Sequence, residues 1–253
     1  MEYSELPNTR ISGSGRLTIP GYGTLKISGS GRVNSDSIRT SGSSTIPGGL
    51  KLHDLKTSGS TKIEGDLASD TVKFSGSARI EGALECEELT KSGSIKIGKS
   101  LKTDYARLSG STRVREGGLI GREIETSGSI EFGDDLISED RIIYSGVMRV
   151  EGRVHAKSFE ARLSRNESYI RDGITSDYIN IQRSHEDWRN MGSLVTSDIN
   201  GDDITLENVQ CDNIRGKNVN IKKGCYIKGT IEYSETFQVD PASNLNNEPI
   251  KTE

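Results

Sequence analysis

Apolar residues recur at fixed offsets from a repeated Ser-Gly-Ser triplet. The repeat glycines are Gly13, Gly29, Gly42, Gly59, Gly76, Gly93, Gly110, Gly128 and Gly146, at intervals of 16, 13, 17, 17, 17, 17, 18 and 18. Four residues after them stand Leu17, Val33, Ile46, Ile63, Ile80, Ile97, Val114, Phe132 and Val150. Eight or nine after come Ile38, Leu50, Leu67, Leu84, Leu101, Leu119, Leu136 and Val154. A third group, near thirteen or fourteen, holds Ile27, Leu55, Val72, Leu89, Ala106, Ile124, Ile142 and Phe159. Apolar residues at spacings of three and four are not sustained, which argues against helices. Short runs rich in Val, Ile and Thr, broken by Gly, Ser and Asp, predict strands and turns.

A repeat of about 17 residues with three inward groups predicts an all-β fold, a right-handed parallel β-helix with three short strands per coil. No coil buries its apolar face alone, but the coils above and below cover it. A left-handed hexapeptide helix would need an aliphatic residue every six positions. The gaps between Ile63, Leu67, Val72, Phe74 and Ile80 do not supply that. Glycine at a corner accommodates a positive φ. At Ser164-Arg165-Asn166 the asparagine is expected to replace it.

The pattern divides the chain into a tail over 1–10, a single β-helix over 11–239 and a flexible tail over 240–253. Register lapses near 183–198, where His185, Glu186, Asp187 and Trp188 form a compact cluster that reads as a surface loop. It then resumes through Ile199, Ile204, Leu206, Val209, Ile214, Val219 and Ile221.

Composition adds mainly exclusions. The 253 residues include 29 glycines without the collagen period, and 33 basic against 37 acidic residues. That balance, with 5% aromatics, argues against a nucleic-acid partner. Cys86, Cys211 and Cys225 form no framework, so a reducing cytoplasm is expected. No apolar run has membrane-spanning length, and MEYSELPNTR has no signal-peptide pattern. His53, His155 and His185 lack metal-ligand spacing, and no cofactor motif occurs, so no enzyme activity, metal or cofactor is expected. Asp134-Asp135 and Asp202-Asp203 read as turn residues. The competing reading is the carboxylate pair of a polysaccharide-acting β-helix enzyme.

Three residues after the glycines stand Arg16, Arg32, Lys62, Arg79, Lys96, Arg113 and Arg149. Alternation with the inward position predicts an outward basic column. It is either a solvated face with ion pairs or a docking strip for an anionic surface or protein partner, the latter giving a monomeric binding module.

The unit SGS-x-[KR]-[IV]-x-G-x-[LI] is clearest as SGSTKIEGDL (58–67) and SGSARIEGAL (75–84). With ISGSGRLTIPGYGTLKISGSGRV and VQCDNIRGKNVNIKKGCYIKGTIEYSETFQVDPAS, it resembles the bactofilins, bacterial polymer-forming cytoskeletal proteins. The resemblance covers about residues 11–242 and is closest to the longer bactofilin-like proteins of Gram-positive bacteria. It implies a nucleotide-free scaffold that assembles end to end and supports cell shape, envelope organisation or motility. The implied partners are further copies of the chain, a related bactofilin or a membrane-associated protein, in the cytoplasm or at the inner face of the membrane. An uncapped stack exposes its ladders only at its ends. Ile11, Leu17 and Ile19 are the candidates for one end, and Ile227, Ile231, Tyr233 and Phe237 for the other.

Overall fold

The computed structural model describes residues 2–184 and 192–252. The cluster His185–Trp188 lies outside the described residues. The chain divides into two compact units, Met1–Gly121 and Arg122–Glu253. Both are built from β-strands, and the repeats stack as a right-handed parallel β-solenoid.

In the first unit the regular coils are β4 (Leu50–Glu64), β5 (Leu67–Ile80), β6 (Leu84–Ile97) and β7 (Leu101–Val114). They pair in parallel, with Leu50, Leu67, Leu84 and Leu101 in one row and Leu55, Val72, Leu89 and Ala106 in another. Ile46, Ile63, Ile80, Ile97 and Val114 form a third row. All of these side chains are buried. The ladder continues through the Ser-Gly-Ser corner and breaks at 65–66, 81–83 and 98–100, so each of these coils runs as one long, bent strand and a short link.

The bend at the repeat glycine needs the missing side chain. Gly76 has φ +107, and a Cβ there would lie 2.4 Å from the Gly59 carbonyl oxygen in the coil below. Gly76→Ala should therefore cost about 2 kcal/mol from the unfavourable φ, with the backbone clash adding to it. A denaturant midpoint equal to that of the parent chain would show that the corner tolerates a Cβ.

The first strands depart from the parallel expectation. β1 (Thr9–Ile19) and β2 (Gly23–Val33) pair antiparallel, as do β2 and β3 (Ser37–Pro47), whereas β3 and β4 are parallel. Only three residues join each of the first two pairs, and so short a link closes a hairpin but not a coil. The glycines nevertheless stay aligned, Gly13 against Gly29 against Gly42 against Gly59. The parallel helix therefore begins at β3 and not at residue 11.

The tail expected over 1–10 is anchored at Ser4 and Leu6. Leu6 is buried, the Ser4 amide donates to the Lys51 carbonyl at 2.8 Å, and the Lys51 amide donates to Ser4 Oγ at 3.0 Å.

After β8 (Leu119–Phe132), most coils of the second unit split into a longer and a shorter strand. β9 (Leu136–Val150) pairs with β10 (Val154–Leu163) and β11 (Ser168–Ile170). The stack continues through β12 (Ile174–Arg183), β14 (Ile199–Leu206), β16 (Ile214–Ile221) and β18 (Ile231–Val239). The short partners include β13 (Leu194–Thr196), β15 (Val209–Cys211) and β17 (Tyr226–Ile227).

Ile142, Phe159, Ile179, Ile204, Val219 and Phe237 form one row of this stack. The lapse expected near 183–198 is partial, because β13 pairs in register with β11 and β15. Asn166 does not take the left-handed position expected of it; among the described non-glycine residues only Asn208 does, at φ 55. The expected flexible tail is instead ordered into the stack over 240–252: β19 (Asn244–Leu245) pairs with β17, and β20 (Ile250–Lys251) with β18. Its asparagines serve as bridges, with Asn246 and Asn247 donating to the carbonyls of Lys228 and Gly229.

Candidate interaction surfaces

Seven aligned copies of Ser-Gly-Ser form an exposed ridge on the first unit, from β1 to β7. Three residues to one side runs the row Arg16, Lys26, Thr45, Lys62, Arg79, Lys96 and Arg113. Three residues to the other side runs a second row, Arg10, Arg32, Arg39, Lys56, Lys73, Thr90 and Arg107. The expected column is thus one of two. Arg32 belongs to the opposite row, because β2 alone runs backwards and swaps the sides of its glycine. Lys26 takes its place. The second row was legible as a basic residue three before six of the seven glycines, but only in combination with the reversed strand.

Acidic residues engage part of this charge. Lys62 Nζ lies 3.2 Å from Glu64 and 3.0 Å from Glu81, and Arg39 lies 3.0 Å from Asp54. Arg16, Lys26, Arg79 and Lys96 have no ion pair among the described residues. Arg149 sits in the second unit, 2.7 Å from Glu151 and over the Tyr169 ring at 5.2 Å.

The end candidates are divided by burial. Ile11, Leu17 and Ile19 all lie on β1, which among the described residues pairs with β2 alone. Ile11 and Leu17 are half-buried and Ile19 is buried. On the second unit Ile227 and Ile231 are both 0% exposed, so they belong to the interior and present no end surface. Tyr233 and Phe237 are half-buried, with ring centroids 5.3 Å apart. β20 pairs at Glu232 and Tyr233, leaving Thr236–Val239 paired on the β16 side. Val239 at 41% and Ile250 at 51% are the exposed aliphatics here, and the sequence reading missed both.

Three of the four paired acids make structural contacts. Asp135 Oδ1 accepts from the Arg153 amide at 2.8 Å. Asp202 meets Lys217 and Asp203 meets Asn218, each at 2.8 Å. Among the described residues no group of three His, Cys, Asp or Glu could hold a metal ion, and no helix is long and apolar enough to cross a membrane. Cys86, Cys211 and Cys225 are free and buried, and burial pushes the Cys86 thiol up to about 12. That leaves it without the thiolate character a nucleophile needs.

His53 forms a small surface clasp. Its Nδ1 is 2.8 Å from Asp70, and Tyr3 Oη donates to the same carboxylate. The Asp70 hydrogen bond holds the His53 pKa above its ordinary value. The stabilisation is therefore full below the unfolded value near pH 6.5 and lost as pH rises through the folded one.

One buried group was not anticipated. Lys91 is 1% exposed, aligned between Phe74 and Leu108, and its Nζ donates to the Ser111 carbonyl at 2.7 Å and to Thr112 Oγ1 at 2.9 Å. Desolvation lowers its pKa to about 8.

No family model matches the chain, and no solved structure matches it. Over 95 residues it is 34% identical to the uncharacterized protein YhbF of Bacillus subtilis (strain 168). The shared stretch covers 37% of this chain and 40% of that protein, so the chain spans well under two thirds of the relative's length.

Proposed function

We propose that the chain is a non-enzymatic, bactofilin-like structural protein that assembles with its own copies through terminal strands of its β-stack. The observation that carries this reading is β1. It hydrogen-bonds to β2, and among the described residues its other edge pairs with no strand. An unpaired edge eleven residues long, with half-buried Ile11 and Leu17 on it, is a template for another strand. The matching feature of the second unit is the part of β18 beyond β20, with Phe237 and Val239. The bactofilin resemblance of the Ser-Gly-Ser units supports the same reading, and with it a scaffold role in cell shape, envelope organisation or motility. The three free thiols fit a reducing cytoplasm. Three of the four acids of the competing enzyme reading, Asp135, Asp202 and Asp203, are engaged in turn and cross-coil contacts, which favours the scaffold.

Leu17→Arg and Phe237→Arg each place a charge at one candidate end while leaving the interior rows intact. With pairing of unlike ends, either substitution should abolish growth of particles in light scattering and electron microscopy. With pairing of like ends, each single variant should stop at dimers and the double variant at monomers. A double variant that is folded by circular dichroism and still forms full-length filaments would overturn assembly through these strands.

A further inference from the structure

We infer that the first unit binds a linear polyanion with closely spaced phosphate groups, in the groove beside the Ser-Gly-Ser ridge that Arg16, Lys26, Lys62 and Arg79 surround. The groove has a volume of about 600 Å³. Its floor carries hydroxyl groups from the triplet serines Ser14, Ser28, Ser43 and Ser60, and from Thr45. Thr45 is the one short side chain between Lys26 and Lys62, which stand two strands apart, about 9.6 Å. Short polar residues below and long cations on the walls give hydrogen-bond donors and positive charge to one guest. Phosphate uses both, accepting from several donors at once.

Three of the four cations, Arg16, Lys26 and Arg79, have no ion pair among the described residues. Beyond the groove the row goes on through Lys96 and Arg113, one cation per strand at about 4.8 Å. A chain of phosphates lying along the row would meet successive charges, and a single small anion would not. A bilayer fits less well. The ridge is serine and glycine, the groove walls carry no exposed aliphatic or aromatic side chain to insert, and a flat surface does not reach the floor. The second row lines a smaller groove of about 430 Å³, where Arg39 is paired with Asp54 and Arg32 donates to Asn34. This inference concerns a side of the unit and does not depend on end-to-end assembly.

Inorganic polyphosphate is the probe, with binding to the full chain measured by titration at several salt concentrations. Its log–log salt slope should be roughly −0.7 for each phosphate contacted, the single-strand value, and so about −3 for four contacts. The triple variant Arg16→Gln, Lys26→Gln, Arg79→Gln should lose at least tenfold in affinity and flatten the slope by about 2. Thr45→Leu keeps every charge but fills the floor, and should lose at least fivefold. The variant Arg10→Gln, Lys56→Gln, Lys73→Gln, on the other row, should lose less than threefold. Equal losses from the two triple variants, or full affinity in Thr45→Leu with its fold verified, would reduce the groove to a diffuse positive face and overturn the inference. Stronger binding to phosphatidylglycerol vesicles than to polyphosphate, abolished by the first triple variant, would overturn it in favour of a membrane surface.

Discussion

Leu84→Asp should destabilise the first unit by at least about 4 kcal/mol, enough to abolish a cooperative unfolding transition in a marginal domain. Leu84 is 1% exposed and aligned between Leu67 and Leu101, both also buried. A carboxylate at this point has apolar residues above and below it, and no cation in its row. It must be buried charged or take up a proton, and either costs free energy. The smaller change Leu84→Ala removes only packing and should cost about 2–5 kcal/mol. Denaturant titration of both variants separates the charge from the cavity. An Asp variant within about 1 kcal/mol of the parent chain would show that this row is not core.

Replacing Lys91 by Met should have the opposite sign and raise stability at pH 7 by about 3 kcal/mol, less whatever its two hydrogen bonds return. The folded pKa of about 8 lies below the ordinary lysine value of 10.5. Between those values the unfolded chain binds more protons than the folded one, so the parent's stability rises with pH through this window. Below about pH 8 the lysine is protonated in both states and the full desolvation penalty applies. Above 10.5 it is neutral in both, and the penalty is gone. The advantage of Lys91→Met should thus be largest at pH 7 and shrink towards pH 10.5, as read from unfolding free energies across that range. A variant no more stable than the parent, or an advantage unchanged between pH 7 and 10.5, would show that the ammonium is adequately solvated where it sits.

Lys91 also shows where reading the chain falls short. From Gly59 to Gly146 the residue two before the repeat glycine is Thr57, Phe74, Lys91, Leu108, Thr126 and Tyr144. Five of these suit an interior row and one does not, yet all six are buried. A single repeat places Lys91 by its chemistry and would put it outside. The ladder places it by register, because a strand paired residue by residue with Phe74 and Leu108 cannot turn one side chain outwards without slipping the rest.

The sequence by itself determined the solenoid, its period of about 17 residues and the three buried rows through Leu84, Val72 and Ile80. That information is local and repeated: an offset from glycine recurs at every coil, so each copy confirms the others, and parallel pairing turns equal offsets into equal positions. Only the tertiary structure decided the direction of β2, and hence the membership of Lys26 rather than Arg32 in the row that borders the larger groove. Ser-Gly-Ser reads alike in both directions, so reversing a strand leaves the glycine and serine columns aligned while exchanging the charged residues beside them. The clue was the pair of three-residue links around β2, too short for a coil. The tertiary structure likewise decided that Ile227 and Ile231 are interior, because β19 and β20 extend the stack past them. Those strands are two residues long and carry no repeat; they exist because the ladders of β17 and β18 supply backbone partners that an isolated polar segment lacks.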